Sequence, residues 1–237
     1  MRLHFITLFP ELITPWLSSS IIGRAHTRGV FSFECHQLRD YATNRHRTVD
    51  DVAYGGGGGM VLKVEPLVRA VIAIRSREPQ ARTICFAPQG EPLSLSQIEQ
   101  NKGAPSLILV CGHYEGIDQR FIDGWVDQVI CVADVIVTGG ELPALIFADS
   151  MIRHCDGSLA EGRATNESFS LQDQGRQLLE YPHYTRPSVF EGQPVPEVLL
   201  SGDHAAVDRW RREHSVDITR RLRPDLLQID KELNPSG

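Results

Sequence analysis

The sequence predicts an α/β fold, a parallel sheet with crossover helices, and three apolar runs predict it. Residues 82–90 (RTICFAPQG), 107–118 (LILVCGHYEGID) and 129–145 (VICVADVIVTGGELPAL) each open as a β-rich strand and stop at a glycine-bearing turn. Around them, strand and helix patterns alternate through Arg153, the rhythm that parallel strands with crossovers impose. In the third run the strand breaks at Gly139-Gly140, and helix-compatible residues continue from Glu141 to Arg153. Pro143 suits the first helical turn, where its missing N–H is not needed. Open α/β sheets make ligand crevices at such strand ends, and glycine lets a ligand reach the main chain because no Cβ intervenes. A single strand–turn–helix joint is equally well read as plain architecture. Three of them, one carrying His113, Tyr114 and Glu115, would line one pocket with backbone groups, which suits a nucleotide-like ligand.

The elements read in order as follows. Residues 3–9 form a buried strand, ended by Pro10 and Glu11 with no small-residue cleavage site after it, so a first strand is expected and no signal peptide. Residues 11–28 are helical, interrupted by Ser18-Ser19-Ser20 and closed by Gly29. Residues 30–38 alternate apolar and polar, a half-buried strand. Residues 39–51 are dense in charge and are expected to be an exposed loop. The run YGGGGGM at 54–60 can be neither helix nor central strand. Residues 63–77 read as a helix after Pro66. Residues 156–174 are polar, glycine-bearing and aperiodic, as a mobile linker would be. Beyond Arg176 the strand signal fades. Residues 203–214 carry an amphipathic helix pattern with Ala205, Val207 and Trp210 on its apolar side. Arg209, Arg211, Arg212, Arg220, Arg221 and Arg223 concentrate positive charge there, diluted by Asp203, Asp208, Glu213 and Asp217; a solvated face and an RNA-facing one fit equally.

Composition narrows the function. A length of 237 residues allows one large domain, or one with a small appendage, and 41% hydrophobic residues exclude global disorder. A net charge of −6 argues against gripping nucleic acid by bulk electrostatics while leaving room for a local basic face. No apolar run approaches the ~18 residues needed to span a membrane. Cys35, Cys85, Cys111, Cys131 and Cys155 are odd in number, lack C-x-x-C spacing and sit in apolar contexts. Reduced thiols in a cytoplasmic protein are expected, with no metal site. The glycine run is no P-loop, since Gly59 precedes Met60 and Val61 where Lys-Ser/Thr is required. The strand–glycine–helix spacing of a dinucleotide fingerprint is absent too. No Ser–His–Asp arrangement can be assigned. Glu167, in ATNESF, is a lone carboxylate whose default reading is a solvated loop residue.

Eight segments together closely resemble the bacterial tRNA (guanine-N1)-methyltransferases, the TrmD family: ITLFPE, RDY…RHRTVDD, YGGGGGM, APQG, CGHYEGID, TGGELPA, YPHYTRP and LLSGDH. They run in family order over most of the chain. The resemblance implies a SPOUT-type α/β fold whose parallel sheet contains a deep trefoil knot, a rare exception to un-knotted topology. It implies a methyltransferase domain over 1–160, a flexible linker over 161–175 and a small, mainly helical, tRNA-binding domain over 176–237. It implies S-adenosylmethionine held by Cys85, Phe86 and Pro88, by Gly112, Tyr114, Glu115 and Gly116, and by Val132, Ala133, Asp134, Val135, Ile136, Val137, Gly139, Gly140 and Pro143. It implies a cytoplasmic homodimer that methylates N1 of guanosine 37 of tRNA, with the site between subunits. By the same resemblance Glu167 stands at the family's catalytic Asp, Arg153 at the arginine facing O6, and the reaction is associated with Mg²⁺, which no residue here indicates. This chain departs from the family's common pattern at Glu167 (Asp), His113 (Arg), Gly58 (Pro) and Val135 (aromatic), and its linker is a residue short. Rival readings are a knotted methyltransferase acting on another base or a ribose 2′-OH, and a non-catalytic RNA-binding protein.

Overall fold

Five strands, all parallel, form the central sheet. Along the first part of the chain run β1 (Arg2–Thr7), α1 (Pro10–Leu17), α2 (Ser20–Thr27), β2 (Ser32–Gln37), β3 (Asp50–Val52), β4 (Met60–Leu62), α3 (Val64–Arg75), β5 (Arg82–Pro92), α4 (Leu95–Lys102), β6 (Ser106–Val110), α5 (Gln119–Trp125), β7 (Gln128–Cys131) and α6 (Glu141–Arg153). The sheet order is β2-β1-β6-β5-β7. This computed structural model describes residues 1–159 and 166–227, and its contacts divide the chain into two units, Met1–Ala160 and Glu161–Gly237.

Both faces of the sheet are covered, which is why its central strands read as continuous apolar runs. Leu3, Phe5, Leu107, Leu109, Ile84 and Ile130 pack under α1, α2, α4 and α6, with Phe147 fully buried among them. Ile6, Ile108 and Val110 pack on the opposite face under α3 and α5, against Leu67, Val71, Ile74 and Phe121. Among the described residues no helix is long and apolar enough to cross a membrane.

Several boundaries differ from the sequence expectation. The 129–137 run is a strand only to Cys131, and Val135, Ile136 and Val137 are exposed. β7 is an edge strand, and its single partner β5 reaches only as far as the Pro92–Cys131 pair. The strand of the 82–90 run does not end at the Pro88-Gln89-Gly90 turn. It swings out at 87–90 and resumes, so Ile130 pairs with both Phe86 and Glu91. Pro66 lies inside the first turn of α3 rather than before it, where its missing N–H costs no hydrogen bond. Within 39–51, Leu38–Tyr41 form a 3₁₀ turn, Val49 is fully buried, and β3 pairs with β4 across the glycine run.

The second unit holds β8 (Gln172–Asp173), β9 (Arg176–Gln177), β10 (Val189–Phe190), β11 (Gln193–Pro194), α7 (Glu197–Leu200) and α8 (His204–Leu222). The described part of the expected linker carries a hydrogen-bonded turn and the strand β8: Glu167 O accepts from Ser170 N and Leu171 N, and Leu178 N donates to Leu171 O. α8 runs past His214 to Leu222, so Arg220 and Arg221 fall in its last turn, where positive charge complements the helix dipole. Asp203 caps its start by accepting from Ala206 N at 3.0 Å, worth about 1 kcal/mol.

Candidate functional site

A cavity of about 590 Å³ opens where β5, β6 and β7 end. The three glycine turns singled out from sequence all line it. Every residue nominated for cofactor binding is on its wall except Asp134, which is exposed beside it.

Local chemistry explains each wall. At the β5 excursion, a Cβ on Gly90 would stand 2.6 Å from the Ile130 backbone, so only glycine lets the loop fold back on β7. After β6, Tyr114 takes φ 60° and Gly116 φ 140°, and Gly116 N closes the turn on His113 O at 3.2 Å. A tyrosine in the left-handed region is uncommon and is held there by its surroundings. That brace is the strand leaving the glycine run: Glu115 N donates to Met60 O and Leu62 N to Gly116 O, both at 2.9 Å. After β7 the chain is irregular through Thr138. Gly140 N then donates to Gly112 O at 2.8 Å, and His113 pairs with Gly139 as an isolated antiparallel bridge. A Cβ on Gly140 would lie 2.6 Å from Cys111 Cα and from Gly112 N.

Charge in the walls is sparse. Cys85 lines the cavity, but burial pushes its thiol up to about 12, and burial raises Cys111 well above its ordinary value, so neither offers a thiolate near neutrality. Glu141 is 3% exposed and accepts from Thr7 Oγ1 at 2.5 Å and from His113 Nε2 at 2.8 Å. Neither Thr7 nor Glu141 was nominated from sequence; the available signals were a hydroxyl closing an apolar-rich strand and a carboxylate directly after a glycine pair. Among the described residues one trio has metal-ligand spacing, His4, Glu34 and His36. It belongs to β1 and β2, none of whose residues line the cavity, and Arg2 and Arg77 already pair with Glu34.

Arg153 ends α6, half-buried, and is not part of the cavity wall. One turn earlier, burial raises the Asp149 carboxyl, with the Arg153 charge opposing that shift. Glu167 stands half-buried in the second unit.

A family model described as tRNA (Guanine-1)-methyltransferase TrmD matches residues 1–229. Curated relatives carry the name tRNA (guanine-N(1)-)-methyltransferase. One from Geobacter sulfurreducens is 47% identical over 228 residues, covering 96% of this chain and 91% of the relative. One from Heliobacterium modesticaldum is 44% identical over 96% of this chain and 84% of its own length. One from Clostridioides difficile is 43% identical over 98% of this chain and all of its own. A match that spans the sheet, all three cavity turns and the second unit through residue 229 settles the affiliation: the chain belongs to the TrmD family of tRNA (guanine-1)-methyltransferases.

Proposed function

We propose that this chain methylates N1 of guanosine 37 of tRNA, beside the anticodon, using S-adenosylmethionine. The observation carrying this reading is the meeting of three glycine turns on one cavity at the carboxyl edge of a parallel sheet, in a chain matched by the family model over residues 1–229. The cavity falls within the roughly 300–1,000 Å³ that small-ligand sites occupy. Gly139 and Gly140 line the cavity and are positions where any Cβ collides with neighbouring atoms, so main chain, and not side chain, faces a ligand there. Once bound, S-adenosylmethionine supplies an electrophilic methyl group. We also assign the family's threading, a deep trefoil knot, to the segments after β6 and β7; the bond from Gly140 N to Gly112 O supports it.

Guanine N1 carries a proton at neutral pH and is a poor nucleophile until that proton leaves. In this reading the Glu167 carboxylate takes it as N1 attacks, and the Arg153 guanidinium stabilises the charge growing on O6. Glu reaches one methylene further than Asp, so the backbone around residue 167 must sit correspondingly further from the base. We assign the second unit to RNA contact, with Tyr184 half exposed beside Trp210 and Arg211 lying 5.0 Å over the Tyr181 ring. A second copy of the chain completes the site, the base coming from the subunit opposite the cofactor.

The test is methyl transfer to a tRNA transcript with G at position 37 beside the same transcript carrying A. Methylation confined to the G37 transcript, at N1, is expected; equal labelling of both, or of neither, overturns the reading. Glu167→Ala should lose about 100-fold or more in turnover while still binding S-adenosylhomocysteine. Full activity in that variant would remove Glu167 from the mechanism.

A further inference from the structure

Glu141 is the first residue of α6, and its carboxylate is almost wholly removed from solvent. A buried charge persists only when it is paired and hydrogen-bonded. Its partners come from two other elements. Thr7, the last residue of β1, donates through Oγ1 at 2.5 Å. His113, in the turn after β6, places Nε2 2.8 Å from one carboxylate oxygen and 2.9 Å from the other. A carboxylate only accepts, so His113 holds its proton on Nε2. Thr7 is itself fixed, its oxygen accepting from Phe9 N at 2.9 Å. One carboxylate therefore ties together the end of β1, the turn that carries Tyr114, Glu115 and Gly116, and the start of α6. His113 also packs over Gly139, where any Cβ would strike its ring.

We infer that Glu141 is a positioning residue for the methyl donor: acting through His113, it sets the 113–116 turn against Gly139 and Gly140, the two walls between which the donor lies. This rests on the proposed identity of the cavity's ligand. Glu141 does not line the cavity, so its loss acts on the shape of the pocket. Removing the charge while keeping an amide of the same size leaves His113 without its ionic partner and lets the turn drift.

The experiment is calorimetric titration of the full chain with S-adenosylhomocysteine, for wild type, Glu141→Gln, Thr7→Val, His113→Leu and His113→Arg. Glu141→Gln and His113→Leu should each weaken binding by about tenfold or more, the scale of one charge-assisted hydrogen bond. Thr7→Val, which keeps shape and removes the donor, should weaken it less but in the same direction. It carries the test if Glu141→Gln fails to fold. His113→Arg, still able to donate to the carboxylate, should bind more tightly than His113→Leu, an order that mere loss of packing would not produce. In steady state, the KM for the donor should rise by a larger factor than kcat falls. If wild type binds no S-adenosylhomocysteine, the reading of the cavity is wrong. If wild type binds and Glu141→Gln and Thr7→Val bind as tightly, the cavity stands and the positioning role falls.

Discussion

At the scale of single residues, the site depends on positions where a side chain has no room. A methyl group on Gly140 must move the backbone of buried Cys111 and half-buried Gly112, and the close packing around Cys111 resists that shift. Gly140→Ala should therefore weaken S-adenosylhomocysteine binding by about 10- to 100-fold, from the roughly 1–3 kcal/mol that overpacking a packed site costs. Gly103→Ala, where a Cβ meets open space, should bind as wild type does. Titrating both variants checks this; equal affinities would remove close packing as the reason for glycine. The glycine pair was legible in company: alone it reads equally as plain architecture, and two further apolar strands ending in glycine turns pointed to a shared pocket. Thr7 and Glu141 were not legible, because a carboxylate and a hydroxyl 134 positions apart reveal their pairing only once the fold brings them together.

At the scale of elements, β1 and β2 share a polar device inside an otherwise apolar layer. His4 and His36 face each other with Nδ1 and Nε2 2.9 Å apart, His36 also meets the Tyr41 hydroxyl at 3.0 Å, and His4 Nε2 lies 3.1 Å from Glu78. Neutral rings fit this chain if Tyr41 donates to His36 and His36 to His4, which leaves the His4 Nε2 proton facing the Glu78 carboxylate without a well-aligned hydrogen bond. Burial depresses both imidazoles, His36 to about 4 from its ordinary 6.5. An unfolded chain protonates His36 below pH 6.5 and the folded one only near 4, and His4 is depressed in the same direction. Folding stability should thus fall as pH drops through that window, by about 3 kcal/mol for His36 alone, and level off beneath it. Urea unfolding between pH 6.5 and 4.5 should show a shallower slope for His36→Gln than for wild type. Parallel slopes would mean that His36 is not held neutral. Strand boundaries illustrate why elements are only partly readable. Residues 129–137 look like one strand because periodicity registers apolar character and cannot tell whether a pairing partner continues. β7 stops where β5 has no more backbone to offer, and the apolar residues beyond it become cavity wall.

For the whole molecule, the remaining apolar surface argues for a second copy. α1 and α6 pack together, yet Leu12 and Trp16 on one and Leu142 and Ile146 on the other are each more than half exposed. Val135, Ile136 and Val137 precede α6 and are exposed as well. Monomeric proteins rarely leave such residues uncovered on adjoining elements. If this face is the contact of the proposed dimer, Ile146→Glu should shift sedimentation from dimer to monomer and abolish methyl transfer, although the residue lines no part of the cavity. If the base and the donor pocket of one site come from different subunits, two inactive variants should repair each other. Glu167→Ala lacks the base and Gly140→Ala the pocket. In a heterodimer, one of the two sites receives an intact pocket from the first subunit and an intact Glu167 from the second. Random reassortment makes half of the dimers mixed, so mixing equal amounts should restore about one quarter of wild-type turnover. The dimer must first be dissociated and reassociated, and a mixture without that step serves as the control. Recovery well above both parents would place the two groups on opposite subunits. Activity no greater than the average of the parents would confine each site to a single chain, and the exposed apolar face would then have to be explained without catalysis.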